Sequence, residues 1–167
     1  MRAALAALSA TTLLVGGAPL VPGSHIGSAK LVRGTAPKAD EKLFDFCDPI
    51  IEKAGVYRRS CRLPKVAKLF VGYGAFEPDK AALDADWKST SWAAWLDGRR
   101  IVLRRFGTSD RPLYAFPPAG GKDVTLREWR VMLLHAKGRH RLHYRFRGPL
   151  AGPGGGTVDA TFTFTAT

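Results

Sequence analysis

The sequence predicts an all-β fold built from antiparallel sheets, with one or two short helices near its N-terminal end. Three observations carry that prediction. Asp97-Gly98 sits between two apolar runs, the strongest short hairpin signal. Trp129, Val131 and Leu133 fall on one face with Phe146, Tyr144 and Leu142 when 128–147 is folded about a four-residue turn, and 157–167 alternates along its length, as half-buried strands do.

Taken in chain order, residues 1–29 read as an export leader. Arg2 is a minimal basic start, Ala3 to Val15 is a mostly apolar run, and Gly16-Gly17 with Pro19 ends it. Gly27-Ser28-Ala29 offers a small-x-small cleavage site before Lys30. The run is too short for a spanning helix, which needs about 20 apolar residues. No transmembrane span is therefore expected once the leader is gone, and the mature chain is expected outside the cell or at the cell envelope.

Residues 30–42 are polar, with Lys and Pro, and read as a flexible arm; 43–167 reads as a single β domain. Asp48-Pro49 as a cap and Gly55 as a stop predict a short helix over 49–54. Cys47 and Cys61, the two cysteines of the chain, read as a disulfide in an oxidising compartment. Lys68–Tyr73 reads as a strand, and Pro78–Asp86 as a helix of one or two turns.

The Asp97-Gly98 turn sets Trp92 opposite Leu103, Ala94 opposite Ile101 and Trp95 opposite Arg100. After a Pro/Gly-rich connection over 111–121, Glu128–His135 and His140–Arg147 are expected to pair as a second hairpin. Its register puts Trp129 with Phe146, Val131 with Tyr144 and Leu133 with Leu142, all on one face. In the last strand Val158, Ala160, Phe162 and Phe164 face inward.

Composition bounds the function. The formal net charge is +12, and 16 of the 26 basic residues are arginine. Asn and Gln are absent, so no N-glycosylation acceptor exists. Arg139, Arg141, His143, Arg145 and Arg147 project from one strand face, with Arg130 opposite Arg145 in the expected register. Like charges so opposed destabilise a sheet; Glu128, a neighbouring acidic strand or an anionic ligand would offset them. Arg99, Arg100, Arg104 and Arg105 form a second cluster. Trp95 and Trp87 are candidate aromatic platforms beside these arginines, able to hold sugar rings or bases.

Enzyme signatures are mostly missing. Gly120-Gly121-Lys122-Asp123 lacks the rest of a phosphate loop, and Gly72-Tyr73-Gly74 lacks the third glycine of a dinucleotide site. No nucleophile elbow and no H-E-x-x-H occur. His140 and His143 point to opposite faces, and His135 with His140 lacks a third ligand, so no metal and no cofactor are expected. Asp48 with Glu52 and Asp84 with Asp86 are the acidic pairs that a hydrolase reading would need across a cleft.

The stretch from Trp129-Arg130-Val131 through Gly138-Arg139-His140-Arg141-Leu142-His143-Tyr144 to the terminal Thr/Phe alternation resembles the closing strands of immunoglobulin-like domains in bacterial exported proteins. The resemblance covers about the last 45 residues. It implies an antiparallel β-sandwich and no particular activity. The expected function is that of an exported, non-catalytic binding or structural domain that engages anionic envelope or matrix polymers through its arginines. The alternatives are a protein–protein adhesion module that takes another exported protein as partner, and a hydrolase of unrecognised type. Nucleic acid is a weak third partner, since export removes the occasion for it.

Overall fold

The computed structural model describes residues 17–35, 41–47 and 53–167. The apolar run of the leader and the helix expected over 49–54 lie largely or wholly outside them. Among the described residues the chain is mostly β, with several antiparallel sheets and two helices.

The strands are β1 (His25–Ile26), β2 (Ala29–Arg33), β3 (Gly55–Arg62), β4 (Lys68–Phe70), β5 (Gly74–Glu77), β6 (Ser91–Leu96), β7 (Arg99–Ile101), β8 (Thr108–Phe116), β9 (Lys122–Trp129), β10 (Val131–Leu134), β11 (Gly138–Arg147) and β12 (Thr157–Ala166). The helices are α1 (Leu43–Phe46) and α2 (Lys80–Ser89). A four-stranded sheet runs β1-β2-β10-β4, a five-stranded sheet β3-β12-β11-β6-β7 and a three-stranded sheet β5-β9-β8.

The smaller sheets join at a bend. Val71 N donates to Val131 O at 2.9 Å and Trp129 N to Tyr73 O at 3.0 Å, so backbone pairing continues from β4 to β5 and from β10 to β9. Glycine is required there. A Cβ on Gly72 would run into the Trp129 carbonyl and the Phe70 ring, and one on Gly74 into the Arg127 carbonyl.

Alternation decides what is buried. Leu142, Tyr144 and Phe146 of β11 and Val158, Ala160, Phe162 and Phe164 of β12 turn inward, as expected. They share one cluster with Leu31, Leu69, Val71, Val131 and Leu133 of the bent sheet. Tyr144 crosses between the layers: its hydroxyl donates to Val71 O at 3.0 Å and accepts from Tyr73 N at 3.4 Å.

The Asp97-Gly98 hairpin forms in the expected register, Ala94 with Ile101 and Trp95 with Arg100. Asp97 and Gly98 both take positive φ, 50° and 79°, as a two-residue turn of this type needs. However, β7 ends at Ile101, so Trp92 pairs with Phe146 of β11 and not with Leu103. The helix expected over 78–86 is α2, capped by the Asp79 carboxylate on Ala81 N at 2.8 Å. Cys47 and Cys61 are joined.

Three expectations are corrected. The hairpin of 128–135 with 140–147 does not form: β10 pairs with β2 and β4, while β11 lies between β12 and β6. Trp129, Val131 and Leu133 reach the same core from another sheet, because parity reports the buried face and not the neighbour. The connection over 111–121 is largely β8; Pro112 is tolerated because β8 is an edge strand. The arm expected over 30–42 begins with most of β2, whose Leu31 is fully buried, and ends at α1; residues 36–40 lie outside the described set.

Candidate functional site

The outward face of the five-stranded sheet gathers the basic residues. On β11, Arg139, Arg141, Arg145 and Arg147 are exposed and His143 is half-buried. The ladder fixes their neighbours: on β12 Thr165, Thr163, Thr161, Asp159 and Thr157 stand opposite Arg139, Arg141, His143, Arg145 and Arg147. β3 runs parallel to β12 and sets Arg58 beside Thr161 and Arg62 beside Thr165. On the other side Trp95 of β6 lies opposite His143, and Arg100 of β7 opposite Trp95. One transverse row thus reads Arg100, Trp95, His143, Thr161, Arg58. The second basic cluster contributes Arg100 to this face.

Seven arginines (58, 62, 100, 139, 141, 145 and 147) occupy this face, and Asp159 is the carboxylate set among their ladder partners. Asp159 Oδ2 accepts from Arg145 Nε at 2.9 Å and Nη2 at 2.6 Å, and Oδ1 lies 2.8 Å from His143 Nε2. Partial burial opposes ionisation of Asp159, but the hydrogen bonds from Arg145 and His143 outweigh it and hold its carboxyl below the usual range. Among the described residues, none of the other six arginines is in an ion pair. Thr157, Asp159, Ala93, Arg100, Arg145 and Arg147 help to line a depression of about 690 Å³ at one end.

Other expected site residues fall elsewhere. Arg130 Nε donates to Gly34 O at 2.6 Å at the bend of the smaller sheets, and it does not oppose Arg145. The like-charge pair expected in the hairpin register is absent, and the acid beside Arg145 comes from β12. Arg104 is exposed on the 3-10 turn at Leu103–Arg105 beyond β7. Trp95 has one ring face stacked on His143, with centroids 4.8 Å apart and planes at 19°. Trp87 is no open platform. Its ring packs on Trp92 at 4.6 Å and Trp129 at 5.2 Å, with Arg127 5.7 Å over it. Arg58 and Arg62 join the face from β3, and their signal in the sequence is the Val56-Arg58-Ser60-Arg62 alternation.

His140 does not face a second histidine: its Nδ1 lies 2.8 Å from Asp97 Oδ2 and its Nε2 3.1 Å from Lys137 O. Among the described residues no group of three or more His, Cys, Asp or Glu could hold a metal. A larger hollow, of about 1410 Å³, borders β5 and includes Phe76, Phe146, Glu77, Asp86, Arg111 and Glu128. Burial, then the nearby Asp86 charge, push the Glu77 carboxyl up. Glu128 is clasped by Lys42 at 3.2 Å and Arg111 at 3.3 Å. Of the four acids a hydrolase reading would use, Asp86 alone lines the hollow among the described residues, while Asp84 pairs with Arg127 and Lys80. Asp48 and Glu52 lie outside the described residues.

Among the described residues the exposed large hydrophobic side chains are Val56 and Tyr114, on separate sheets. No described helix is long and apolar enough to cross a membrane. Comparison with family models, curated proteins and solved structures finds no match for this chain.

Proposed function

We propose that this chain is an exported β-sandwich protein of immunoglobulin-like kind that binds anionic polymers of the cell envelope or matrix. The binding surface is the outward face of the five-stranded sheet. The observation that carries this reading is the charge balance of that face: seven arginines around one carboxylate, which is already held by Arg145 and His143.

The geometry suits an extended ligand. Residues i and i+2 on a strand stand about 6.8 Å apart and neighbouring strands about 4.8 Å apart. The β11 arginines therefore make a line, with Arg58 and Arg62 in a parallel line two strands away. Each guanidinium fork can take a phosphate, sulfate or carboxylate through paired charged hydrogen bonds. Thr hydroxyls of β12 lie between the two lines and add donors. The core beneath keeps the strand backbones in place, so the ordering left to binding is that of the arginine side chains.

Three further features support the reading. The joined cysteines suit an oxidising compartment. Tyr144 of the five-stranded sheet bonds to the backbone at Val71 and Tyr73, which lie on the bent sheet, as facing layers do. The lack of a broad exposed apolar patch among the described residues favours a charged ligand over an adhesion partner.

The test is retention of the exported protein on immobilised anionic polysaccharide and envelope fractions over a salt gradient. Strong retention is expected, and it should collapse when Arg141, Arg145 and Arg147 are replaced together by serine. Elution no later than an unrelated protein of equal charge, or retention undiminished in the triple variant, would remove the face as a binding site.

A further inference from the structure

The stretch just before Lys30 is built into the fold. Leu20 is fully buried; its N donates to Arg100 O at 2.7 Å and its O accepts from Val102 N at 2.9 Å. It thereby bridges Ile101 and continues the five-stranded sheet past β7. Arg99, whose neighbour Arg100 faces the ligand side, turns the other way. Its Nε and Nη2 donate to Ala18 O at 3.1 and 2.8 Å, and its Nη1 to His25 O at 3.0 Å.

The segment that follows is a hairpin. Ile26 pairs with Ala29, so Gly27-Ser28 is a two-residue turn, and Gly27 takes the positive φ of 55° that such a turn requires at its first position. Ser28 Oγ donates to His135 O at 3.2 Å. Ala29 is fully buried and opens β2, which is hydrogen-bonded on both sides, to β1 and to β10. The same small residues that resemble a cleavage site are those a tight turn and a buried strand start demand. A cut after Ala29 would sever β2 behind its first residue and strip Leu20, Ile26 and Ala29 from the core.

Gly17, Ala18 and Pro19 are exposed, and the chain enters the protein at Leu20. Gly16, Gly17 and Ala18 are also the small residues that directly follow the apolar run.

We propose that the export leader is removed within the Gly16-Gly17-Ala18 stretch, ahead of Leu20, so that the mature protein keeps the Leu20 bridge and the β1–β2 hairpin. The reaction is hydrolysis of one peptide bond by a leader peptidase. Water supplies the hydroxyl of the new carboxylate on the leader, and a proton goes to the new amino terminus. The inference rests on the export reading above.

The test is expression of the full chain, Met1–Thr167, in an export-competent bacterial host, followed by intact mass and N-terminal sequencing of the exported product. A mature terminus at Gly17 or Ala18 is expected. A terminus at Lys30 would overturn this inference and leave export standing; an intact chain retained in the cytoplasm would overturn both. Two variants locate the site independently. Replacing Gly16, Gly17 and Ala18 together by leucine should lower the processed fraction at least tenfold. Gly27→Asn should leave the processed mass unchanged apart from the substitution. The reverse pattern would place the cut at Ala29 after all.

Discussion

Asp159 and Arg145 stand opposite each other in the β11–β12 ladder, and both guanidinium nitrogens Nε and Nη2 converge on the single oxygen Oδ2. The second carboxylate oxygen takes His143. One acid thus neutralises the middle of a line of like charges and leaves its ends uncovered, which fixes several expected outcomes.

Asp159→Asn removes the one negative charge among the ladder partners of this face and releases Arg145. Retention on an anionic polysaccharide column should then shift to higher salt. Exposed charges are screened over about 10 Å at 0.1 M salt, so the difference from wild type should shrink as ionic strength rises. An earlier elution would mean that Asp159 orders the arginine line and does not compete for it.

Arg58→Ser with Arg62→Ser tests whether β3 belongs to the same surface. The double variant should elute at lower salt by a margin similar to that of two β11 arginines, with an unchanged unfolding midpoint. Elution indistinguishable from wild type would confine the site to β11 and β7.

Acid should destabilise the protein through carboxylates held below their usual range. Asp159 is one; Asp84 and Asp110, hydrogen-bonded first by Arg127, are others. A group whose folded pKa is depressed contributes stability above its unfolded value, about 3.9 for Asp, and that contribution is lost as pH falls through the folded value. The urea midpoint should therefore drop steadily below about pH 4. In a protein carrying Asn at 84, 110 and 159 the midpoint at neutral pH should be lower and the acid drop shallower.

Reduction of Cys47–Cys61, or its replacement by two serines, should lower stability by about 3 kcal/mol in the chain-entropy account of a loop this short. Urea unfolding with and without reductant measures it. The serine variant should show no further response to reductant.

Gly72→Ala should be far more damaging than an exposed glycine replacement. The added Cβ meets the Trp129 carbonyl where the two smaller sheets join, and overpacking of this kind costs roughly 1–3 kcal/mol or more. Gly98 has open space around its missing Cβ, so Gly98→Asn at the hairpin turn should cost much less. Urea midpoints of the two variants make the comparison.

How much could be read in advance follows from the range of each interaction. Alternation is local, so the sequence by itself determined which residues of β6, β11 and β12 point inward and that the β11 arginines lie on one face. Asp97-Gly98 likewise set its own register, because two residues must take positive φ there. The Cys47–Cys61 bond followed from there being two cysteines and one possible pair. Strand partners are another matter. Nothing local distinguishes β10 against β11 from β10 against β2, since both bury Val131 and Leu133. Loop closure and side-chain fit across the whole core choose between them.

Only the tertiary structure, then, decided that β12 and not β10 flanks β11, that β3 adds Arg58 and Arg62 in parallel, and that Arg100 joins the same face. It also placed Gly27-Ser28-Ala29 in a hairpin, since a small, turn-prone tripeptide does not by itself choose its neighbours, and the burial of Leu20, Ile26 and Ala29 rests on residues distant in the chain.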